Sequence, residues 1–365
     1  MERDHGQYTI GAALSLSGGN VRQARMAAAG LVQAVEDARR AGGVNVDGRP
    51  LLPGLALLDD GGTAKGLRRA LDRLSRADLL IGPYGSGLAA EAGAWAGEQG
   101  RVVWNHGGSA DEVEALPRLV SVASPTSRYL AAVVEVVAAG LPGGRVLIGA
   151  GTGSFGRAAV RGATEAAAAA GMDIVDVVSP GQVPDSVDAD ALLLAGSFDA
   201  DVTVLRALRR RPRVVAAVAG GLREFADAVG AQRAEGILAP SQWEEGMRLR
   251  PDVGPRAVDV LRSLRSRLAP GLAPGTAGPR VDYPAAQAYA AVVIALRCVA
   301  ETGGFDDDAL LAAARTLRCR TFFGGFGLGP DGRQADHALV VVQWQNGAKC
   351  IVGPPGLAEQ AIVFS

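Results

Sequence analysis

Ser86 and Ser109 stand in matching places after two consecutive apolar runs, and both carry a hydroxyl that can bind an anion. Ser86 follows the run Leu79–Ile81 across a Gly-Pro break, and Ser109 follows residues 102–104 across two glycines. Apolar runs that end at glycine or proline are typical of buried strands that end in turns. A hydroxyl at the start of the next helix can cap its first turn, or it can share the free backbone N–H groups with an anionic ligand.

If both runs are strands of one parallel sheet, their loops lie at the same edge, because the carboxyl ends of parallel strands meet there. That edge is where ligands bind in open α/β sheets. The pairing of two hydroxyl-bearing loops therefore favours a ligand site. Ordinary strand-to-helix turns rich in small residues are the alternative that these residues leave open.

The rest of the chain repeats a short apolar run, a glycine-containing loop and an amphipathic stretch. The pattern predicts strands that include residues 8–14, 51–58, 145–148, 191–194 and 214–218, with helices between them. Such alternation indicates parallel sheets with helices on both faces. At 365 residues the chain exceeds one ordinary domain, so we expect two lobes, each with its own core.

The two serine loops resemble the first-lobe ligand loops of the bacterial leucine/isoleucine/valine-binding protein family. The similar residues are Ile81-Gly82-Pro83, Ser86-Gly87, Gly100 and Gly107 to Ser109. Members of this family have the type I periplasmic-binding fold and serve as substrate-binding subunits of ABC transporters. The resemblance implies that Ser86 and Ser109 hold the carboxylate of a ligand, together with backbone groups of the loop at Gly107.

The resemblance covers nearly the whole chain and implies its organisation. It predicts the α/β class, with two doubly wound parallel-sheet lobes joined by a hinge of three chain crossings. The first lobe is expected to contain residues 7–123 with 246–322, and the second residues 124–245 with 323–365. The implied function is capture of a small ligand in the cleft between the lobes by hinge closure.

Other residues match positions that face the ligand in this family or lie in the same loops. Phe155 and Phe198 occupy two aromatic positions of the second lobe, and Gln23 lies early in the first helix. Aromatic rings there can bury apolar ligand surface, which stabilises by about 25 cal/mol per Å². The predicted ligand-binding residues are Ser86, Gly107, Ser109, Tyr84, Gln23, Trp104, His106, Phe155 and Phe198.

The third loop of the second lobe departs from the family pattern. Amino-acid binders of the family usually place an acidic residue there, but residues 219–222 contain none, and Glu224 is expected on the next helix. A buried ammonium group without a carboxylate partner is costly. The predicted ligand is a branched-chain or related amino acid, or a carboxylate or amide analogue, and the missing acid puts a standard amino acid in doubt.

A rival interpretation starts from Gly151, Gly153 and Gly156, which satisfy the GxGxxG spacing of dinucleotide-binding loops. Asp173 and Asp176 follow at a suitable distance for a ribose contact, so an NAD-dependent oxidoreductase is an alternative function. One such motif is a weak signal in a chain with 50 glycines. It also follows a complete first lobe, and no catalytic constellation accompanies it.

The remaining polar residues do not form a recognisable catalytic or metal site. The three histidines have no carboxylate or nucleophile at the spacing of a triad. Asp59 and Asp60 have no visible partner for acid/base catalysis and are expected to be structural. The three cysteines are an odd set without CxxC spacing, so a disulfide is undetermined and no metal is predicted. We therefore predict no enzyme activity and no cofactor.

The composition limits the partners of the chain. Its 37 basic and 38 acidic side chains nearly cancel, which gives no basic surplus for nucleic-acid phosphates. Although 48% of the residues are apolar, no uninterrupted run approaches the roughly 18 to 20 residues of a membrane span, so we expect a soluble chain. The predicted partners are the small ligand and the membrane permease of an ABC transporter, and a monomer is expected.

The chain ends and one internal stretch carry further expectations. Residues 1–7 are polar and lack the apolar core of a secretory signal. We predict a periplasmic or extracellular protein, lipid-anchored or free, whose export signal is absent from this chain. A cytoplasmic small-ligand sensor of the same fold is the alternative. Residues 270–279 predict a Pro/Gly loop without periodicity.

Overall fold

The computed structural model describes residues 6–268 and 280–364 of the protein. The predicted Pro/Gly loop at residues 270–279 lies outside these ranges, as do residues 1–5 of the N-terminal stretch. The described chain forms two compact units and passes between them after Ser124, after Met247 and after Ala338. The predicted α/β class with two doubly wound, mainly parallel sheets is confirmed.

The elements alternate along the chain as the apolar runs predict. In the first segment they are β1 (Gln7–Leu14), α1 (Val21–Arg40), β2 (Val44–Val46), β3 (Arg49–Asp59), α2 (Ala64–Leu74), β4 (Leu79–Ile81), α3 (Ser86–Gln99), β5 (Val103–Asn105), α4 (Asp111–Glu114) and β6 (Leu119–Ser121). In the second they are α5 (Ser127–Val137), β7 (Arg145–Ala150), α6 (Ser154–Ala169), β8 (Asp173–Val178), β9 (Ala191–Ala195), α7 (Phe198–Ala207), β10 (Val214–Ala217), α8 (Glu224–Val229), α9 (Ala231–Ala234) and β11 (Leu238–Ser241). The last segments contain α10 (Ala257–Leu268), α11 (Tyr283–Thr302), α12 (Asp307–Thr316), β12 (Cys319–Arg320), β13 (Gly325–Phe326), β14 (Val340–Gln345) and β15 (Ala348–Gly353).

The sheet of the first unit has the strand order β2-β3-β1-β4-β5-β6. β1 runs parallel to β3 and β4, and the parallel pairing continues through β5 to β6. All three residues of β4 and of β5 are buried, as expected for parallel strands with both faces covered. The carboxyl ends of β4 and β5 therefore lie side by side, and the loops that follow them lie at one edge.

Helices α1 and α11 pack closely against each other in the first unit. A Cβ atom built on Gly30 of α1 would lie 2.1 Å from the carbonyl oxygen of Ala285 in α11. By length and composition α11 is apolar enough to cross a membrane, but 78% of its most apolar window is buried within the protein. The apolar character of α11 is therefore explained by its packing in the core of this unit.

The sheet of the second unit has the order β15-β14-β11-β10-β9-β7-β8. Its strands are parallel from β8 to β11, whereas β14 runs antiparallel to both β11 and β15. β9 is buried on both faces: Leu193 packs in one apolar cluster, and Leu192 and Leu194 pack in another. This unit therefore has a core on each side of its sheet.

Residues 323–338 belong to the first unit, whereas the sequence predicts them in the second lobe. Gln334 shows why, because its Nε2 donates to the Val122 carbonyl at 3.3 Å and its backbone N–H donates to Glu114 Oε2 at 3.2 Å. In the same segment the ring of Phe323 stacks on His337, with the ring centres 4.2 Å apart. These long-range contacts fix the segment, and no local pattern in it indicates them.

The close approach of α1 and α11 predicts a large effect of one methyl group. Gly30→Ala should lower the free energy of unfolding by about 1 to 3 kcal/mol, the usual cost of overpacking, because its Cβ would overlap the Ala285 carbonyl. Gly97→Ala is the control, since a Cβ there meets no atom within 4 Å and should raise helix stability by up to about 1 kcal/mol. Urea denaturation followed by circular dichroism measures both; similar midpoints for the two variants would contradict the packing.

Candidate functional site

The loops after β4 and β5 are joined to each other by hydrogen bonds. Ser86 is the first residue of α3, and its Oγ accepts a hydrogen bond from the backbone N–H of Ala110 at 3.0 Å. The N–H of Gly85 donates to the Gly107 carbonyl at 2.9 Å, and Tyr84 and Gly107 form a parallel bridge. The structure thus brings Ser86, Tyr84, Gly107 and Ser109 together in one pair of loops.

The two serines are nearly buried, with 7% of Ser86 and 4% of Ser109 exposed. Because the Ser86 oxygen accepts from Ala110, its hydroxyl hydrogen is left for a second partner. Within the described residues no acceptor takes that hydrogen. A hydroxyl held in this way can donate to a carboxylate oxygen, and hydrogen bonds to an ionised acceptor are the stronger kind.

Glycine is required at two positions of these loops. Gly85 precedes α3 with φ of 99°, a conformation that residues with a Cβ rarely adopt. A Cβ on Gly107 would lie 2.7 Å from Cδ2 and 2.8 Å from Cα of Tyr84. The glycines therefore permit the close contact between the two loops.

Two asparagines that the sequence pattern does not single out complete this edge. Asn105 Nδ2 donates to Ser121 Oγ at 2.7 Å, and its Oδ1 accepts from the Gly108 N–H at 2.9 Å. Asn20 Nδ2 donates to the Tyr84 carbonyl at 3.1 Å. The available signal for Asn105 is an asparagine at the end of a buried strand and before glycines, where its amide can satisfy backbone groups of a tight turn.

The carboxylates at the end of β3 stabilise neighbouring loops. Asp59 Oδ2 accepts from Ser17 Oγ at 2.6 Å, and Asp60 Oδ1 accepts from the Gly62 N–H at 2.7 Å. The hydrogen bond from Ser17 lowers the pKa of Asp59, whereas burial raises the pKa of Asp60. Within the described part of the chain, no group of three or more His, Cys, Asp or Glu side chains is placed to hold a metal ion.

Trp104 and His106, two of the predicted ligand-binding residues, are fully buried. Val103 packs with α2 and α3, and Trp104 points to the other face of β5 because successive residues of a strand alternate. Burial lowers the pKa of His106 to about 4, so its imidazole is neutral near pH 7. Tyr84 and Gln23, two further predicted ligand-binding residues, are half-buried.

The predicted aromatic residues of the second unit lie where helices start at the carboxyl edge of its sheet. Phe155 is the second residue of α6, after β7, and Phe198 is the first residue of α7, after β9. Both side chains are half-buried against the core of this unit. The ring of Phe155 meets Tyr129 edge-on, with the ring centres 5.5 Å apart. Each ring therefore contributes to the core and keeps part of its surface at this edge.

Neither of the two aspartates proposed for a ribose contact lies beside the Gly151 loop. The parallel register of β7 and β8 pairs Arg145 with Asp173 and Leu147 with Asp176. Asp173 therefore lies at the amino end of β8, at the opposite edge of the sheet from Gly151. Asp176 lies in the middle of β8, where its Oδ1 accepts the Val177 N–H at 2.8 Å. This geometry does not favour the oxidoreductase alternative.

Asp201 holds two loops of the second unit together, although the sequence does not reveal it as a site residue. Its Oδ1 accepts the Gly196 N–H at 2.8 Å, and its Oδ2 accepts the Ala219 N–H at 3.4 Å. The side chain is fully buried, and this burial raises the pKa of Asp201 to about 7 against the two opposing hydrogen bonds. The only sequence signal is an acidic residue in the first turn of a helix, which usually indicates a favourable helix dipole.

A buried ion cluster lies beside the loop at residues 219–222, where the sequence provides no acid. Lys349 Nζ lies 2.7 Å from Glu244 Oε1 and donates to the Gly221 carbonyl, and Arg223 Nη2 lies 3.4 Å from Glu244 Oε2. The side chain of Lys349 is 0% exposed and that of Glu244 is 6% exposed. The carboxylate of Glu244, which lies beside this loop, is thus already neutralised by two cations.

Comparison with known families gives one match that spans most of the chain. The sequence model of the family described as periplasmic binding protein matches residues 7–349. A comparison with curated protein sequences found no match.

Several solved structures share the fold over nearly the whole chain. The branched-chain amino acid transporter substrate-binding protein LivJ of Streptococcus pneumoniae, solved with isoleucine, has a TM-score of 0.75 at 16% identity, with 98% of this chain and 100% of that chain covered. A solute-binding protein of an ABC transporter from R. palustris, solved with benzoate, has a TM-score of 0.75 at 16% identity over 95% and 96%. An ABC transporter substrate-binding protein of Desulfitobacterium hafniense, in complex with Leu, has a TM-score of 0.74 at 17% identity over 94% and 99%.

The raised pKa of Asp201 predicts that stability depends on pH. With a pKa of about 7 against an ordinary 3.8, the folded state keeps a proton that the unfolded chain has released. The free energy of unfolding should therefore fall as the pH rises from about 4 to about 7, by up to about 1.4 kcal/mol per pH unit. Asp201→Asn should flatten this slope.

The exposed Asp227 provides a control with the same change of charge, since Asp227→Asn should keep the slope of the wild type. Urea denaturation at several values between about pH 5 and about pH 7 compares the three proteins. Equal slopes for the wild type and Asp201→Asn would show that Asp201 does not titrate in this range.

Proposed function

Because the chain belongs to the periplasmic binding protein family, we propose that it is the extracytoplasmic substrate-binding subunit of an ABC transporter. Its ligand is a small carboxylate. The observation that carries the proposal is the hydrogen-bonded loop pair at the carboxyl edge of the first sheet, with Ser86 Oγ fixed by Ala110 and Ser109 directly beside it. Capture by closure of two lobes, as the family resemblance implies, is part of this proposal.

The ligand class follows from the charges on both units. Serine hydroxyls and loop N–H groups suit a carboxylate, because they donate hydrogen bonds and leave the negative charge on the ligand. An α-amino acid also needs a partner for its ammonium group. Of the carboxylates beside the 219–222 loop, Glu244 is engaged by Lys349 and Arg223, and Asp201 is engaged by the N–H groups of Gly196 and Ala219. A carboxylate without an ammonium group is therefore the ligand we propose, as in the R. palustris relative solved with benzoate.

Binding without chemistry is the activity that fits this site. His106, the histidine of this loop pair, is fully buried and its pKa is lowered to about 4, so it is a weak base for activating a serine hydroxyl. A nucleophile needs an effective base within hydrogen-bond reach. The proposed partners are accordingly the ligand and a membrane permease, with the chain as a monomer in the periplasm or outside the cell.

The ligand class can be tested by thermal shift of the full chain. Benzoate and 3,4-dihydroxybenzoate should raise the melting temperature, since a ligand at 100 times its Kd stabilises the folded state by about 2.7 kcal/mol. Leucine and isoleucine should give smaller shifts, and benzamide, which lacks the carboxylate, should give none. A larger shift with leucine than with any aromatic acid would contradict the ligand class but leave the binding function standing.

The anchor residues can be tested with the acid that gives the largest shift. Ser86→Ala and Ser109→Ala should each weaken binding by about 1 to 3 kcal/mol, because the bound carboxylate loses a hydrogen bond in a buried place. Ser75→Ala is a matched control, since Ser75 is exposed beyond α2 and its Oγ donates to the Asp72 carbonyl. Isothermal titration calorimetry measures the affinities; wild-type values in both site variants would rule out this anchor.

A further inference from the structure

The amino edge of the second sheet carries a strongly basic cavity that the proposed transport function does not use. The cavity has a volume of about 610 Å³ and is lined by Arg206, Arg209, Arg211 and Arg233, together with Gln232 and the backbone at the end of α7. Residues 208–213 lead from α7 into β10, and residues 235–237 lead from α9 into β11. Both connections enter strands at their amino ends, whereas Phe198 and the 219–222 loop lie at the carboxyl edge.

Two of the arginines are held in place by backbone carbonyls. Arg233 Nη1 donates to the carbonyls of Leu205 at 3.4 Å and Leu208 at 3.3 Å, at the end of α7. Arg211 donates to the carbonyls of Glu235 at 3.1 Å and of Arg233, at the end of α9. These contacts satisfy carbonyl groups at the ends of α7 and α9. They also hold the two guanidinium groups in place, with no carboxylate of the described residues paired to either.

The positive charge of the cavity is only slightly compensated. Arg209 Nε pairs with Asp185 Oδ2 at 2.8 Å, and within the described residues this is the one ion pair made by the four arginines. Arg206 makes no side-chain hydrogen bond there and is exposed. Burial and the neighbouring charge of Arg233 lower the pKa of Arg211, as expected when like charges are held close together.

We infer that this cavity binds a phosphate group. Guanidinium groups present paired N–H donors that match phosphate oxygens, and a dianion would relieve the repulsion between Arg211 and Arg233. The volume lies within the range of small-molecule sites, so the phosphate can carry an organic group. Its source is either a free phosphate compound or the headgroup of an anionic lipid, which share this chemistry.

The first experiment titrates the full chain with inorganic phosphate in calorimetry, with chloride at equal ionic strength as the blank. Arg206→Gln should weaken phosphate binding about tenfold or more, as expected for the loss of a charge-assisted hydrogen bond. Arg210→Gln is the matched control, because Arg210 is an exposed arginine of the same segment that does not line the cavity. Its affinity for phosphate should stay within about twofold of the wild type, since only bulk charge changes.

Three results would overturn the inference: no heat of phosphate binding by the wild type, an equal loss in both arginine variants, or a loss in Ser109→Ala. The last result would place the anion at the serine loops of the first unit instead. A failure of the proposed transport function would leave the phosphate titration unchanged, so the two ideas are tested separately.

A second experiment distinguishes the two sources of phosphate. The full chain is sedimented with phosphatidylcholine vesicles that either contain or lack phosphatidylglycerol. Sedimentation that requires phosphatidylglycerol and is lost in Arg206→Gln, but kept in Arg210→Gln, assigns the cavity to a lipid headgroup. Phosphate binding in calorimetry without such sedimentation assigns it to a soluble phosphate compound.

Discussion

Every backbone N–H or C=O group that leaves a sheet inside the protein needs another hydrogen-bond partner, and this requirement shapes the loops of both units. In the first unit side chains meet it: Ser86 accepts the Ala110 N–H, and Asn105 accepts the Gly108 N–H. In the second unit the Asp201 carboxylate accepts the N–H groups of Gly196 and Ala219. Loops fixed in this way present their remaining groups in one geometry, which a selective binding site requires.

The fold was largely predictable because its signals are local. Short apolar runs such as Leu79–Ile81 end at glycine or proline, so strand, turn and helix could each be recognised from a few neighbouring residues. Ser86 and Ser109 were found by the same signals, since each follows such a run. The sequence predicts residues 323–338 in the second lobe, whereas they lie in the first unit, where Gln334 bonds to Val122 and Glu114, more than 200 residues away in the sequence.

The charged and aromatic residues were harder to predict because their roles depend on burial. Lys349 has the sequence context of an ordinary surface residue on an edge strand, yet its ammonium group is buried against Glu244. The sequence around Trp104 suits a pocket wall or a core residue, and its side chain is fully buried in the folded protein. A local pattern shows which residues share one face of a strand. The elements that cover that face come from elsewhere in the chain, so the burial of each side chain does not follow from the pattern.

The architecture of the second unit also explains how the basic cavity can be kept apart from the loops that we propose to face the ligand. In a parallel sheet every strand-to-helix loop lies at one edge and every helix-to-strand connection lies at the other. β10 shows this directly, since Arg211 precedes it and the 219–222 loop follows it. Its four residues span about 13 Å at about 3.3 Å per residue. This exceeds the Debye length of about 8 Å at physiological ionic strength, so exposed charges at the basic edge are largely screened from a ligand at the other edge.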